Sequence, residues 1–201
     1  MKKLLCLAIL AFGFVVNAQN DLPQSATDVS PLLIGEKIPN LSLKTAEDTE
    51  VRLKDLFKQK RTILVFYRGG WCPYCNLHLS ALAEAEATLL ELGYQIVAIS
   101  PDSPKNLKIT EEKDKVNYLL LSDSSGELAK AVGIAFKAPL LYGPVLSKGS
   151  DGVNKKALPV PSVFIVNLDG EIDFEHITPD YKHRISNDLL IAAAKSLNQQ
   201  K

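Results

Sequence analysis

The sequence is poor in sulfur and carries no excess of either charge. Its 201 residues include three cysteines, one methionine and one tryptophan. Lys and Arg total 23 and Asp and Glu total 23, so the formal net charge is zero. Without a basic excess, nothing points to nucleic acid or an anionic membrane as a partner. No apolar run reaches the roughly 20 residues that a spanning helix needs. Internal repeats and low-complexity segments are also missing.

What is present begins with a short leader pattern. Lys2-Lys3 is followed by an apolar stretch from Leu4 to Val16, and Val16-Asn17-Ala18 places small residues where a signal peptidase cuts. The expectation is a signal peptide over 1–18, a linker over 19–31 with Pro23 and Pro31, one domain over 32–201, and a secreted or periplasmic location without stable membrane insertion. Cleavage would remove Cys6, Lys2 and Lys3, leaving 21 basic against 23 acidic residues and two cysteines, Cys72 and Cys75.

Two cysteines narrow the chemistry. A structural zinc site needs four ligands, and His78 is the one nearby addition, so neither a metal nor another cofactor is expected. A bridge between Cys72 and Cys75 closes almost no loop, so its contribution through chain entropy would be small. An exported pair would meet an oxidising compartment, where it is kept oxidised or reduced by a dedicated partner.

The chain alternates strand and helix patterns. Asn40–Lys44 and Glu50–Leu53 alternate around a turn and predict a hairpin. Thr62–Tyr67 is apolar with little alternation, as in a strand buried on both faces. A helical pattern runs from near Asn76 to Leu92, with Leu79, Leu82, Ala85 and Leu89 at three- or four-residue spacing and Gly93 as a stop. Tyr94–Ser100 is a strand. Ser103 and Pro104 suit the start of a helix that runs to Lys115. A strand at Tyr118–Leu121 and a helix near Gly126–Val132 follow. Phe136–Leu158 is irregular, with Pro139, Gly143, Pro144, Gly149 and Gly152, and is expected to be an insertion near the site. Ser162–Val166 and Glu171–Ile177 flank an Asp-Gly turn, and Arg184–Leu197 forms an amphipathic helix. The order predicts an α/β fold: a central mixed β-sheet flanked by helices, with parallel crossovers first and an antiparallel hairpin last.

The octapeptide Arg68-Gly69-Gly70-Trp71-Cys72-Pro73-Tyr74-Cys75 joins the buried strand to the long helix. A thiol is a nucleophile only as a thiolate, and a helix N-terminus stabilises that anion. Pro73 loses no hydrogen bond in a first helical turn. Gly69 and Gly70 let the backbone bend and approach a substrate. Arg68 supplies a permanent charge, and Trp71 can wall one side of the sulfur. Taken singly, each has a plain reading as core, solvated charge or turn. Together they point to a redox site. Val160-Pro161 precedes a strand, where a proline is unusual, and a cis Val160–Pro161 bond is expected to face a backbone edge toward the cysteines. Asp102 and His78 are expected in lesser roles, as a helix cap and a partly packed side chain.

These residues carry a resemblance. Trp71-Cys72-Pro73-Tyr74-Cys75, its helix and the Val160-Pro161 strand resemble the thioredoxin fold. Ile34–Pro39, Phe66–Cys75, Ala98–Asp102 and Pro159–Val166 resemble the peroxiredoxin-like branch of the alkyl hydroperoxide reductase/thiol-specific antioxidant family, over about residues 32–197. The resemblance implies a thioredoxin-like fold with an N-terminal β-hairpin extension and an insertion before the cis-proline strand. It also implies a thiol-dependent peroxidase, taking hydroperoxides as substrate and electrons from a thioredoxin-like protein or a small thiol.

The departures are specific. The family signature is P-x-x-x-T-x-x-C. With Cys75 as its last residue, Cys72 stands at the Thr and Arg68 at the Pro. With Cys72 last, Gly69 and Val65 stand there. The family's peroxide-orienting arginine before the late strand is replaced by Pro161, and Arg68 is the electrostatic stand-in. Two mechanisms stay open. One sulfur attacks a peroxide and the other condenses with the sulfenic acid, or Cys72 attacks a protein disulfide and Cys75 resolves it. A secreted binding module with an inert pair is a third class.

Overall fold

The fold is described from a computed structural model over residues 21–199. The expected signal peptide at 1–18 lies outside those residues. Residues 21–32 contain no helix or strand, yet Leu22, Ala26, Val29 and Leu32 rest on the core, and Lys137 N–H donates to Pro23 O at 2.8 Å.

Strand β3, Arg61–Phe66, is buried along its whole length. Its period of two sends Ile63 and Val65 to one face and Leu64 and Phe66 to the other, and each face has its own core. Neither face meets water, so the sequence shows a continuous apolar run instead of alternation. Its neighbours are β4 (Tyr94–Ser100), parallel to it, and β8 (Ser162–Val166), antiparallel. The sheet continues through β5 (Leu119–Ser122), β1 (Ser42–Thr45) and β2 (Glu50–Arg52) on one side and β9 (Ile172–Ile177) on the other. The order is β2-β1-β5-β4-β3-β8-β9. Parallel pairing is confined to β3, β4 and β5, whose crossovers run through helices. Both expected hairpins are present, one toward each edge.

Two layers of helix cover the sheet. On the Ile63 face lie α2 (Pro73–Glu91), α3 (Pro104–Asp114) and α6 (Asn187–Gln199), which contribute Leu79, Leu82, Leu107 and Leu190. On the Phe66 face lie α1 (Leu53–Gln59) and α4 (Glu127–Ala131), with Leu53, Phe57 and Leu128. The α4 N-terminus is capped by Asp123, whose carboxylate accepts from Leu128 N–H at 3.1 Å and Ala129 N–H at 2.9 Å.

Two expectations are corrected. The stretch expected to be irregular is an ordered module. A ladder of β6 (Ala135–Lys137) and β7 (Ala157–Pro159) forms its stem, and a 3₁₀ turn (Leu140–Tyr142) and α5 (Gly143–Gly149) sit between them. Ala138, Leu146 and Leu158 give it a small core of its own. Buried side chains replace regular ladders. Asn154 accepts from Ala157 N–H at 2.9 Å and donates to Ala157 O at 2.8 Å, and Ser150 Oγ–H donates to Leu146 O at 2.7 Å.

The Val160–Pro161 peptide is trans, since no cis bond occurs among the described residues. Local pairing accommodates the proline with the bond in its ordinary trans form. Pro161 stands just before Ser162, which pairs with Phe66, so it faces Tyr67 at the end of the ladder. Tyr67 N–H already donates to Ile99 O on the other side, and Pro161 O accepts from Thr178 N–H at 3.0 Å. No neighbour requires an N–H from Pro161.

The central layer predicts a clear stability outcome. Phe164 is fully buried on β8 and meets Phe66 edge-on at 5.9 Å between ring centroids. Phe164→Ala is expected to cost about 3–5 kcal/mol in urea unfolding with an unchanged m-value. A loss below about 1 kcal/mol would contradict this packing.

Candidate active site

The C-terminal end of β3 delivers the chain to the site. After Phe66 it turns through Arg68–Trp71, and α2 begins at Pro73, so the helix starts three residues earlier than its apolar spacing suggests. Cys72 is the N-cap, with extended backbone (φ −92°, ψ 114°), and Pro73 is the first helical residue. Cys72 O accepts from Cys75 N–H at 3.0 Å and Asn76 N–H at 3.1 Å. Both thiols are free, and both residues are buried.

The glycines are set by the space around them. Gly69 has φ +134°, and a Cβ there would overlap Trp71 Nε1. A Cβ on Gly70 would overlap Thr110 Oγ1 on α3. Gly70 N–H donates to Asp102 Oδ2 at 2.7 Å. Asp102 therefore anchors the cysteine loop and does not cap a helix. Its carboxyl is raised to about 6 because burial opposes its charge, against the lowering by the Gly70 N–H and Ser100 hydroxyl bonds. Gly149 O accepts from Ser103 N–H and from Asn106 Nδ2, each at 2.8 Å, which docks the insertion beside the loop.

Arg68 is the unusual charge. Its side chain is buried, and it makes no ion pair among the described residues. Its guanidinium carbon lies 4.2 Å from the Tyr181 ring centroid, 4.5 Å from Tyr142 and 5.0 Å from Trp71. Each such contact supplies about 0.5–2 kcal/mol. They offset desolvation without cancelling the charge. A second cation approaches from the segment after β9, where Arg184 Nη2 donates to Cys75 Sγ at 3.5 Å.

The two sulfurs respond in opposite directions. Cys72 is lowered to about 6, first by the hydrogen bond from the Cys75 thiol, then by Cys75 N–H and the charges of Arg68 and Arg184, against burial. Cys75 is pushed well up, chiefly because its thiol donates to Cys72, with burial and the Cys72 charge adding to this. At neutral pH the pair holds one proton, on Cys75. His78, expected to be partly packed, is buried one turn further along α2. Burial, Arg184 and His176 lower it to about 4, so it is neutral and compensates neither arginine. His183 lies apart, exposed beside Asp180 at 3.1 Å.

The structure thus gathers Arg68, Gly69, Gly70, Trp71 and Cys72 in one loop, with Pro73 and Cys75 in the first turn of α2. Tyr74 is partly exposed and meets Tyr181 edge-on at 5.7 Å. Pro161 closes the neighbouring strand beside this loop, and Val160 is tied to Ile134 O through its N–H at 2.9 Å. Sequence reasoning missed Tyr142, Tyr181 and Arg184. Only the irregularity of the insertion hinted at the first.

A thioredoxin-like sheet carrying a C-x-x-C pair at a helix N-terminus defines a thiol oxidoreductase. Residues 34–175 match the AhpC/TSA family, and the chain belongs to it. Peroxiredoxin Bcp of Escherichia coli is 26% identical over 163 residues, which is 81% of this chain and 96% of that protein. Among solved structures, peroxidoxin BcpB of Mycobacterium tuberculosis superposes with TM-score 0.66 at 20% identity, covering 82% of this chain and 97% of that one. Reduced Prx3 of Vibrio vulnificus in complex with hydrogen peroxide gives 0.68 at 18%, covering 81% and 99%. At these identities the two structures speak for the fold alone.

Two outcomes follow from this geometry. Alkylation of Cys72 by iodoacetamide is expected to rise with pH around a midpoint of about 6, and Cys75→Ala is expected to move the midpoint toward the ordinary value of roughly 8.5. An unmoved midpoint would remove the sulfur–sulfur bond as the main cause. Gly70→Ala is expected to cost about 1–3 kcal/mol in urea unfolding. Thr110→Ala in the same chain should recover most of that, because the next nearest atom, Thr110 Cβ, is 3.3 Å away.

Proposed function

We propose that this protein is a thiol-dependent peroxidase in which Cys72 attacks the hydroperoxide and Cys75 resolves the product. The carrying observation is the Cys72 sulfur at the helix N-cap, lowered to about 6 and near a buried arginine that meets no carboxylate among the described residues. Membership in the AhpC/TSA family supports peroxide as the oxidant.

In this reading the Cys72 thiolate attacks the distal peroxide oxygen, the O–O bond breaks, and the leaving alkoxide takes a proton. Cys72 becomes a sulfenic acid and the peroxide becomes an alcohol, or water from hydrogen peroxide. Cys75, as its thiolate, then attacks the sulfenic sulfur and forms the Cys72–Cys75 disulfide. The hydroxyl leaves as water with the proton released by Cys75. Two electrons from a thioredoxin-like protein or a small thiol restore the dithiol. Arg68 favours the starting thiolate, while Trp71, Tyr142 and Tyr181 shield the sulfurs from bulk water.

Thiol–disulfide exchange on protein substrates is the second reading. The same N-cap position and lowered Cys72 pKa favour it, because a disulfide is also attacked by a thiolate.

Single-turnover oxidation of the reduced protein by hydrogen peroxide, compared with insulin reduction, separates the two. The expected outcome is peroxide oxidation well above that of free cysteine, with a stable sulfenic acid in Cys75→Ser and none in Cys72→Ser. A peroxide rate no faster than free cysteine rejects the peroxidase, and a sulfenic acid in Cys72→Ser alone reverses the two roles.

A further inference from the structure

Arg184 is held for a task that the first step leaves unused. It lies between β9 and α6, 109 residues from Cys75 in sequence. Its Nη1 donates to the carbonyls of Tyr181 and, at 2.6 Å, His183. Nη2 is thereby turned to Cys75 Sγ at 3.5 Å. Arg184 makes no ion pair among the described residues. The Arg68 backbone N–H also bonds to the Cys75 sulfur. Cys75 therefore sits among donors suited to an anion, yet it carries the proton while Cys72 is ionised.

We infer that Arg184 is a positioning residue for the second sulfur: it stabilises the Cys75 thiolate once Cys72 has lost its negative charge by bonding to an oxidant. In the proposed peroxidase this is the resolving step. The role itself requires only that Cys72 become neutral, as a sulfenic acid or as one half of a mixed disulfide. The charge and proton then exchange places. Hydrogen bonding to Cys72 and repulsion from its charge are the two contributions that disappear from Cys75. Burial remains against the anion, with Arg184 and the Arg68 N–H for it. Cys75 loses its proton to solvent and attacks the Cys72 sulfur, and hydroxide (taking up a proton) or a thiolate leaves.

The groups around Cys75 do not duplicate this function. From β3 and its loop come Tyr67, a buried phenol held protonated, and the Arg68 guanidinium, which stacks on rings. Beyond that loop, Asp102 and Tyr118 act on Tyr67 and add to holding its proton. Arg184 and His176 both act on His78, which is neutral above about pH 4. The cation that reaches Cys75 Sγ by a side chain is Arg184.

The test is independent of peroxide. Reaction of reduced protein with 5,5′-dithiobis(2-nitrobenzoate) places thionitrobenzoate on Cys72, and Cys75 releases it in a second, separately visible phase. In Arg184→Gln the second phase is expected to slow about tenfold or more at neutral pH, and its rate to climb with pH over a range where the wild type is level. The first phase should change by less than about threefold, since Arg184 is a minor influence on Cys72. Arg184→Lys keeps the charge and should recover part of the rate. It also serves if Arg184→Gln does not fold, because losing the fixed guanidinium geometry should still shift the second-phase pH profile upward.

A second phase within about twofold of wild type, with the same pH profile, overturns the inference. A matched peroxide arm with dimedone trapping should show Cys72 sulfenic acid accumulating in Arg184→Gln. If wild type fails to react with peroxide while Arg184→Gln slows thionitrobenzoate release, the peroxidase reading falls and the role of Arg184 stands.

Discussion

The site depends on a buried guanidinium that meets no carboxylate among the described residues. Arg68 is shut away among Tyr181, Tyr142 and Trp71. Ring contacts make that burial tolerable and leave a positive potential that water screens poorly. That charge lowers both the Cys72 thiol and the Tyr142 phenol. A carboxylate in ion-pair contact would quench Arg68 and remove its share of the lowering of Cys72, which the hydrogen bond from Cys75 leads. The buried acid that is present, Asp102, is turned to Gly70 N–H and Ser100. Its own ionisation is discouraged by burial. The acid thus fixes the shape of the loop, and the arginines set its charge.

The family comparison gives this arrangement its context. The signature threonine position is occupied by Cys72 when Cys75 is aligned as the reactive cysteine, and the arginine position before the late strand is Pro161. The structure brings two cations to the same place by other routes, Arg68 from the signature's proline position and Arg184 from the segment before the last helix. A threonine hydroxyl offers a hydrogen bond to a neighbouring thiolate, whereas Cys72 can itself become the anion. In place of a helper stands a second sulfur, within the same helical turn.

Much of the sheet was legible because burial on both faces leaves an unmistakable pattern. The apolar run before Arg68 marked β3, and the Asp169-Gly170 turn marked the β8–β9 hairpin. The cysteine loop was legible because each residue in it is local to the others. Arg184 was not, since its approach to Cys75 depends on how the chain returns after β9. The module between β6 and β7 was hidden for a different reason. Its order rests on Ser150 and Asn154 side chains bonding backbone, and no periodicity records that. The cis peptide was expected from a proline ahead of a strand. The bond is trans, and Pro161 is accommodated because it stands at the end of the ladder, a property of the pairing and not of the dipeptide.

The module that contributes Tyr142 has its own apolar centre in Ala138, Leu146 and Leu158, and its stem is a two-stranded ladder separate from the main sheet. It is held to the start of α3 through Gly149 O and meets the cysteine loop through Tyr142, which packs on Trp71 and Arg68. The wall on that side of the sulfurs is therefore mechanically distinct from the scaffold that tunes them. Provided Tyr142 keeps its place on Arg68, the rest of the module can lengthen, shorten or change polarity while β3 and α2 stay as they are. What the sulfurs can do and what is allowed to reach them are written in different parts of the chain.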